Sequence, residues 1–191
     1  MNLFFRLIRI IIHALYRQKL HFLDTGVVTF RVLPLDLDIN RHMTNSRYLS
    51  MMDLGRTDLL IRTGLARLTW KKKWGGSVLG AATIRWRRGL TPFQKFEIHT
   101  RVIGWDEKAF YLDQKVLAQE HVIAHAIVKA IFINRKGSIS ASDIVDMLGK
   151  KDVHTPSPEL PEAVKHWKAS EDAMREDGYA FAKMHFKNEQ E

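Results

Sequence analysis

The segment from Asp36 to Tyr48, DLDINRHMTNSRY, concentrates side chains that can do chemistry. It places two carboxylates, Asp36 and Asp38, in a polar turn directly before an amphipathic helix pattern. A helix N-terminus offers backbone N–H donors and partial positive charge, which can stabilise the oxyanion that forms on an attacked carbonyl. Asp38 could act there as a nucleophile or as a general base to water. The alternative is a structural role, because Asp is common in Asx-turns and at helix N-caps.

Residue types and spacing exclude or disfavour several other chemistries. The chain has no cysteine, so it has no Cys nucleophile, thiolate metal ligand or disulfide. No Gly-x-Ser-x-Gly sequence is present, which disfavours a Ser nucleophile on a strand-to-helix turn. His121 and His125 are four residues apart but fall at a predicted turn and strand, so we interpret them as structural. We therefore predict a site without a metal.

A strand and a helix flank the polar turn and would position it. The β-rich run Val27–Val32 ends before Pro34, which predicts a strand. Apolar residues then recur at helical spacing over residues 45–63, and Gly64 ends the predicted helix. Gly55 lies inside this helix, where glycine costs roughly 1 kcal/mol relative to Ala. Its presence predicts that a sheet or another helix approaches closely at that point.

The chain after the helix is strand-like. Four strands are predicted, at Val78–Arg87, Lys95–Ile103, Ala109–Leu117 and Val122–Ile133. Polar and apolar residues alternate in the second of them, which favours an antiparallel sheet with one solvated face. One long helix against a five-stranded antiparallel sheet is an α+β fold.

The C-terminal part is predicted to be separate from this domain. Three prolines in residues 155–162 predict a linker, and a helix is predicted from Glu162 to Met174. The tail after Gly178 is predicted to fray. The predicted organisation is an N-terminal helix in residues 1–23, a main domain in residues 24–150, and a linker with a helix in residues 151–191.

The first 20 residues form an amphipathic pattern whose charges are all positive. Arg6, Arg9, His13 and Arg17 recur at spacings of three and four, which places them on one face of a helix. They interrupt the ~20 apolar residues that a membrane span needs, and no cleavage site marks a signal peptide. Two interpretations remain. We favour a helix at a membrane surface with its cations among anionic headgroups, and the alternative is a helix packed on the domain or a partner subunit.

The overall charge indicates an anionic partner. Lys and Arg outnumber Asp and Glu by 30 to 21, which gives a net charge of +9. Such an excess suits nucleic acid, a membrane surface or a phosphate-bearing molecule, although it also promotes solubility by itself. No nucleic-acid recognition motif accompanies the charge, so we predict no nucleic-acid partner.

Residues 36–56, DLDINRHMTNSRYLSMMDLGR, resemble the signature of hotdog-fold thioesterases of the 4-hydroxybenzoyl-CoA thioesterase type. That signature is Asp-x-Asp, three residues, His-Met-Asn-Asn, two residues, Tyr, and then an acidic residue and Arg on the helix. Residues 84–115 are also similar to this family, most closely to the subgroup of thioesterase superfamily member 6-like proteins. The resemblance covers about residues 3–148 and implies a hotdog fold with thioesterase activity.

The resemblance also implies roles for residues of the turn. Asp38 matches the family's catalytic Asp, and backbone amides near His42 and the helix start match its oxyanion-polarising elements. His42 and Asn45 would position the loop or cap the helix. The sequence departs from the pattern twice: Thr44 stands in place of the usual first Asn, and Arg41 stands where many members have Gly.

Neighbouring residues have weaker predictions. Asp36 is predicted to be a turn residue. Tyr48 and Met52 are predicted to lie in the core or to form the wall of an acyl pocket. Asp53 and Arg56, three residues apart on the helix, are predicted to form a surface or intersubunit ion pair. Asp53 is also a candidate second carboxylate near the site.

A basic cluster could bind the phosphates of coenzyme A, because guanidinium groups suit phosphate oxygens. The alternative is a solvated or membrane-facing patch. The cluster comprises Lys71, Lys72, Lys73, Arg85, Arg87 and Arg88.

We therefore predict a cytoplasmic acyl-CoA thioesterase that acts on a hydrophobic acyl chain and needs no cofactor. The sequence does not distinguish CoA from acyl-carrier protein as the carrier. The resemblance implies a homodimer or homotetramer with sites at the interface, and residues 1–20 would contact a membrane peripherally. The alternative function is a non-catalytic acyl-thioester or lipid-binding module. A hotdog dehydratase is disfavoured, because its His-x-x-x-Gly-x-x-x-x-Pro pattern is not found.

Overall fold

The computed structural model of the chain describes the backbone of residues 2–149 and 155–186, with side chains for residues 3–149 and 155–179. These residues fall into two compact units, Met1–Pro158 and Glu159–Glu191. The predicted boundary between residues 150 and 151 lies outside the described residues.

The first unit contains a sheet whose neighbouring strands are all antiparallel, in the order β1-β3-β4-β5-β2. The long strands are β1 (Gly26–Arg31), β2 (Gly76–Trp86), β3 (Lys95–Trp105), β4 (Ala109–Ala118) and β5 (His121–Asn134). This arrangement confirms the predicted α+β fold with five antiparallel strands. A sixth strand of two residues, β6 (Gly137–Ser138), pairs with the end of β5 and was not predicted.

The described residues contain five α-helices, four in the first unit and one in the second. They are α1 (Asn2–Tyr16), α2 (Asn45–Arg62), α3 (Leu65–Lys71), α4 (Ala141–Leu148) and α5 (Glu162–Phe186). The sequence predicted α2 to within one residue, whereas the short helices α3 and α4 were missed. The prediction for the C-terminal helix was too short, since α5 continues through Gly178 to Phe186 instead of ending at Met174.

Helix α2 packs across one face of the sheet, as predicted. Its residues Tyr48, Met51 and Met52 are fully buried in the core. At Gly55 the helix almost touches the sheet, because a Cβ atom there would lie 2.9 Å from Thr100 Oγ1 and 3.1 Å from the side chain of Ile98. The predicted close approach at Gly55 is therefore confirmed, and β3 is the element that approaches.

Helix α1 lies along the open edge of β1. Arg6, Arg9 and Arg17 donate hydrogen bonds to the main-chain carbonyls of residues 31, 29 and 27, at 3.2, 3.4 and 2.9 Å. These alternate carbonyls face away from β3, so the arginines satisfy groups that no neighbouring strand pairs with. The cationic face of α1 therefore packs on the domain. This contradicts the favoured interpretation, in which that face would lie among lipid headgroups.

The opposite face of α1 is apolar and exposed. Phe4 and Phe5 are 62% and 63% exposed, and Leu15 and Tyr16 are 59% and 88% exposed. Within the described parts of the chain, no helix combines the length and apolarity needed to cross a bilayer. The helix thus turns Arg6 inward together with Ile10 and Ala14, while most of its larger apolar side chains face solvent, which is unusual for a surface helix.

Candidate active site

Asp38 occupies a tight loop between β1 and α2, and its side chain is exposed. Its Oδ1 accepts hydrogen bonds from the backbone N–H groups of Asn40, at 2.8 Å, and His42, at 3.1 Å. Its own N–H donates to the His42 carbonyl at 2.8 Å. The Asp38 carboxylate therefore forms an Asx-turn and also faces solvent, so the turn contacts orient a carboxylate that a substrate can reach.

The segment after β2 holds this loop from the other side. The N–H of Met43 donates to the Leu90 carbonyl at 2.9 Å, and the N–H of Leu90 donates to the hydroxyl of Tyr48 at 3.2 Å. The ring of His42 lies against Gly89, where a Cβ atom would be 2.6 Å from His42 Cδ2. Gly89 lies between two of the predicted strands, and its being a glycine was the one sequence signal of this contact.

Arg41 adopts a left-handed backbone conformation with a φ of 57°. This is the position at which many members of the resembled family have Gly, and glycine reaches positive φ without the steric penalty of a side chain. The loop therefore keeps a conformation suited to glycine while presenting an exposed guanidinium beside Asp38.

Asp36 is buried, and it is more than the turn residue that we predicted. Its Oδ2 lies 2.7 Å from an Arg6 guanidinium nitrogen and accepts the Leu33 N–H at 2.9 Å. Its Oδ1 lies 3.7 Å from Arg47, and its carbonyl accepts the N–H of Thr44 at 2.9 Å. Asp36 therefore ties the end of β1 to the start of α2, on either side of the Asp38 loop.

The N-terminus of α2 carries unsatisfied donors. Thr44 is its N-cap but makes no side-chain capping bond, and the N–H of Arg47 bonds the Thr44 carbonyl. Within the described residues, the N–H groups of Asn45 and Ser46 have no hydrogen-bond acceptor. The N–H of His42, in contrast, is engaged by Asp38. The free donors for an oxyanion are thus at the helix start.

Tyr48 and Met52 both lie in the core, with 1% and 0% exposure. Burial raises the pKa of the Tyr48 hydroxyl, and the hydrogen bond from Leu90 offsets part of that increase. Neither residue lines the apolar cavity that lies further along α2. They match the core alternative of our prediction. Tyr48 contacts the segment that holds the Asp38 loop, and the carbonyl of Met52 accepts a hydrogen bond from Gln114 of the sheet.

An apolar cavity of 70 Å³ lies further along α2, between this helix, α3 and the sheet. An open cleft of 430 Å³, bounded by α1, α2 and β2, shares four of its lining residues. The cavity is lined by Phe22, Asp53, Arg56, Leu59, Leu60, Leu65, Ser77, Val78, Leu79, Val102, Phe110, Leu112, Ala130 and Phe132. It could hold part of an apolar chain that enters through the cleft.

Asp53 and Arg56 stand where the cavity meets the cleft, and they form an ion pair. The Asp53 side chain is 71% exposed, but the Arg56 side chain is only 10% exposed. Arg56 also donates to Gln114, which in turn donates to Thr100 Oγ1 and the carbonyl of Met52, both at 2.9 Å. The predicted ion pair is present, but Arg56 is not a surface residue of this chain, because it belongs to a buried polar network.

Asp53 is not brought to Asp38 within one chain. Eight residues separate Asp53 from Asn45 on α2, which corresponds to about 12 Å along the helix axis. Asp53 could therefore act beside Asp38 only if it came from another copy of the chain.

The predicted phosphate-binding residues are exposed, but they lie in different places. Arg87 and Arg88 follow β2 directly before Gly89, so they are next to the segment that holds the Asp38 loop. Arg85 lies on β2, opposite His125 in the sheet register. Lys71 ends α3, and Lys72 and Lys73 follow it, so all three lie beyond the C-terminal end of α2 and away from Asp38.

A separate polar cluster on the outer face of the sheet centres on Asp113. Its carboxylate contacts Arg101 at 3.2 Å, Lys115 at 3.1 Å and His125. Burial raises the pKa of Asp113, but the hydrogen bonds from His125 and Lys115 outweigh this and hold it below its ordinary value. These contacts agree with the structural role predicted for His125. Among the described residues, no group of three or more His, Asp or Glu side chains is placed to hold a metal.

Comparison with known proteins agrees with this geometry. Residues 32–168 match the family model of the thioesterase-like superfamily. Protein THEM6 of Xenopus laevis is 39% identical over 138 residues, which cover 71% of this chain and 63% of the frog protein. Protein THEM6 of Danio rerio is 36% identical over 155 residues, which cover 78% of this chain and 73% of the fish protein. The chain thus spans about two thirds of the length of these relatives.

A solved gentisyl-coenzyme A thioesterase has a similar structure. It is 25% identical, with a TM-score of 0.56, and the match covers 62% of this chain and 98% of that one. Both the sequence family and the fold therefore agree with the resemblance seen in residues 36–56. The chain belongs to the thioesterase-like superfamily and has the hotdog fold of these thioester hydrolases.

Proposed function

We propose that this chain hydrolyses acyl-CoA thioesters, with Asp38 as the catalytic carboxylate and the start of α2 as the oxyanion donor. The observation that carries the proposal is the exposed Asp38 carboxylate, oriented by two backbone N–H groups beside a helix start with free donors. The similar solved enzyme is a coenzyme A thioesterase, which supports CoA as the carrier. Acyl-carrier protein is the alternative carrier. The hydrolysis requires no cofactor.

The reaction follows from these groups. As general base, Asp38 takes a proton from water while the water oxygen bonds to the thioester carbonyl carbon. The N–H groups of Asn45 and Ser46 stabilise the resulting oxyanion, together with the positive end of the helix dipole. The C–S bond then breaks, and the thiolate leaves and takes up the proton. In the nucleophilic variant, Asp38 Oδ2 bonds to the carbonyl carbon and the C–S bond breaks as the thiolate leaves. Water then hydrolyses the acyl-Asp38 anhydride to the carboxylic acid and free Asp38, and the thiolate takes up the proton that is released.

A second copy of the chain would complete the site. In the described part of the chain, no strand pairs with the outer edge of β2, where Val78 and Leu79 are 47% and 46% exposed. The edge of β1 is covered by α1, so β2 is the edge left for pairing. The start of β2 lines the cavity, and the end of β2 leads to Gly89 and the Asp38 loop. If the β2 strands of two copies pair in antiparallel fashion, the cavity of one copy would lie beside the Asp38 loop of the other.

This arrangement assigns the parts of the substrate. The acyl chain would enter the apolar cavity of one copy past Asp53, while its thioester carbonyl meets Asp38 of the other. A cavity lined mainly by Leu, Phe and Val supports a hydrophobic acyl group. Arg87 and Arg88, next to the loop, would bind the CoA phosphates, with Arg85 further along β2.

Helix α1 would contact a membrane through its apolar face, not through its arginines. The exposed residues Phe4, Phe5, Ile8, Ile12 and Leu15 form a surface suited to the headgroup and acyl boundary. Cations at its rim and the overall charge of +9 would favour anionic lipids. A cytoplasmic protein bound peripherally in this way would meet long-chain thioesters where they partition.

The test is hydrolysis of acyl-CoA esters across a range of chain lengths, followed by free thiol. Asp38→Asn should lower kcat by about 10³-fold or more, because it removes the base or nucleophile. Asp24→Asn is the matched control, since Asp24 is also an exposed loop carboxylate that accepts a backbone N–H, at 2.7 Å from His21. Equal activity of Asp38→Asn and the wild type would contradict the assignment. Binding without cleavage at every chain length would favour the non-catalytic module instead.

A further inference from the structure

We propose that Arg6 of α1 is a positioning residue for the Asp38 loop. The N-terminal helix would then contribute a residue that the active site needs. The inference rests on the proposed function of Asp38. Arg6 precedes the residues that match the family model, which begin at residue 32. The proposal therefore adds to the site a residue from outside the matched family region.

Arg6 joins three elements with one guanidinium group. Its side chain is only 8% exposed, and one nitrogen lies 2.7 Å from Asp36 Oδ2 and 3.2 Å from the Arg31 carbonyl. The other terminal nitrogen lies 3.0 Å from the sulfur of Met51, which is fully buried. Arg6 thus contacts the end of β1, the turn before the loop, and α2 at the same time.

Asp36 transmits this contact to the loop. It fixes the chain on the side of β1 through the Leu33 N–H and on the side of α2 through the Thr44 N–H. Leu37 and Met43 then pair as an isolated bridge, which closes a loop with Asp38 at its start. The Arg6–Asp36 ion pair therefore helps to hold the two ends of the Asp38 loop, and through them it sets the position of the Asp38 carboxylate.

Arg6 cannot be replaced by the other nearby cation. Arg47 lies 3.7 Å from Asp36 Oδ1, and its side chain is 29% exposed. Without Arg6, the Asp36 carboxylate would be left with a weaker, more solvated partner in Arg47, and it would move toward that partner. This movement shifts the two ends of the loop that carries Asp38.

Arg17, the residue directly after α1, provides a matched control. It also donates to a β1 carbonyl, that of Val27 at 2.9 Å, and lies 3.7 Å from a buried carboxylate of α2, Asp58. Asp58 is 14 residues into α2, far from the loop, and has a second partner in Arg62. Arg17→Met therefore removes the same kinds of contact without changing the residues that hold the Asp38 loop.

The experiment compares Arg6→Met, Arg6→Lys and Arg17→Met in the full chain for kcat, KM and thermal midpoint with an acyl-CoA substrate. We expect Arg6→Met to lower kcat by about 10- to 100-fold with KM within about twofold, since a displacement near 1 Å costs about 100-fold. Arg6→Lys should recover part of kcat, and Arg17→Met should leave kcat within about twofold. Equal losses of kcat in Arg6→Met and Arg17→Met would overturn the proposal.

Two further measurements keep the result decisive. If Arg6→Met fails to fold, the double variant Arg6→Met with Asp36→Asn removes the buried charge that has lost its Arg6 partner. Full kcat in that double variant would show that Arg6 only neutralises Asp36, and a kcat that stays low supports positioning. Amide hydrogen exchange of residues 37–44 should rise in Arg6→Met but not in Arg17→Met, and unchanged exchange would contradict positioning. This readout does not need catalysis, whereas wild-type activity in Asp38→Asn would refute the proposed function itself.

Discussion

Gly89→Ala offers a sharp test of how the Asp38 loop is held. A Cβ atom at this position would lie 2.6 Å from His42 Cδ2, 3.0 Å from Cγ and 3.3 Å from Cβ. Carbon atoms prefer a separation of about 3.5–4.0 Å. The His42 side chain must therefore retreat by about 1 Å, and its backbone N–H is one of the two groups that orient Asp38.

The expected effect falls on catalysis more than on stability. Both Gly89 and His42 are exposed, so the His42 ring can move into solvent at a cost of about 1 kcal/mol or less. A displacement near 1 Å at the reacting carboxylate, however, corresponds to a loss of about 10- to 100-fold in kcat. Steady-state hydrolysis of an acyl-CoA ester and a thermal melt would measure the two effects separately.

The control and the refuting result come from two other variants. Gly75→Ala should change neither quantity appreciably, because a Cβ there makes contacts no closer than 3.4 Å. In a His42→Ala background most of the clash is gone, so Gly89→Ala should cost little further kcat. If Gly89→Ala costs as much in that background as in the wild type, contact with the His42 ring is not how Gly89 acts.

Four further predictions follow from the same structure. Gly55→Ala should destabilise the fold by about 1–3 kcal/mol in chemical denaturation, because its Cβ would press on β3, and an unchanged midpoint would contradict that packing. The lowered pKa of Asp113 contributes stability above the unfolded pKa that is lost as pH falls, so Asp113→Asn should flatten the acid-side decline of the thermal midpoint below about pH 4. Leu79→Asp on the open β2 edge should shift sedimentation from dimer to monomer and lower kcat, and retention of the dimer would exclude this edge. Phe5→Ser with Ile12→Ser should abolish co-sedimentation with anionic vesicles while leaving hydrolysis of a soluble short-chain ester intact; equal co-sedimentation would exclude this face.

Local sequence patterns predicted the elements that hold the site. Helical spacing identified α2 almost to the residue, and alternation identified the long strands, because both patterns follow from one face packing on a core. The glycine inside α2 correctly predicted a close neighbour at residue 55. The Asp-x-Asp turn correctly predicted that Asp38 lies in the loop that leads to α2.

Pairings between distant segments could not be predicted in the same way. Asp36 and Arg6 are 30 residues apart, and nothing local distinguishes a buried ion pair from a turn residue and a surface cation. The same holds for His42 against Gly89, and for Arg56 with Gln114, 58 residues apart. Each pairing depends on how β1, α2 and the sheet are stacked.

The N-terminal helix shows most clearly what the sequence determined and what only the tertiary structure decided. The sequence by itself predicted an amphipathic helix within residues 1–20, since the spacing of its cations fixes which side chains share a face, and the structure has this helix at Asn2–Tyr16. Only the tertiary structure decided which face points inward. The unpaired carbonyls of the β1 edge and the buried carboxylate of Asp36 attract the arginines, and this leaves the apolar face of α1 exposed to solvent.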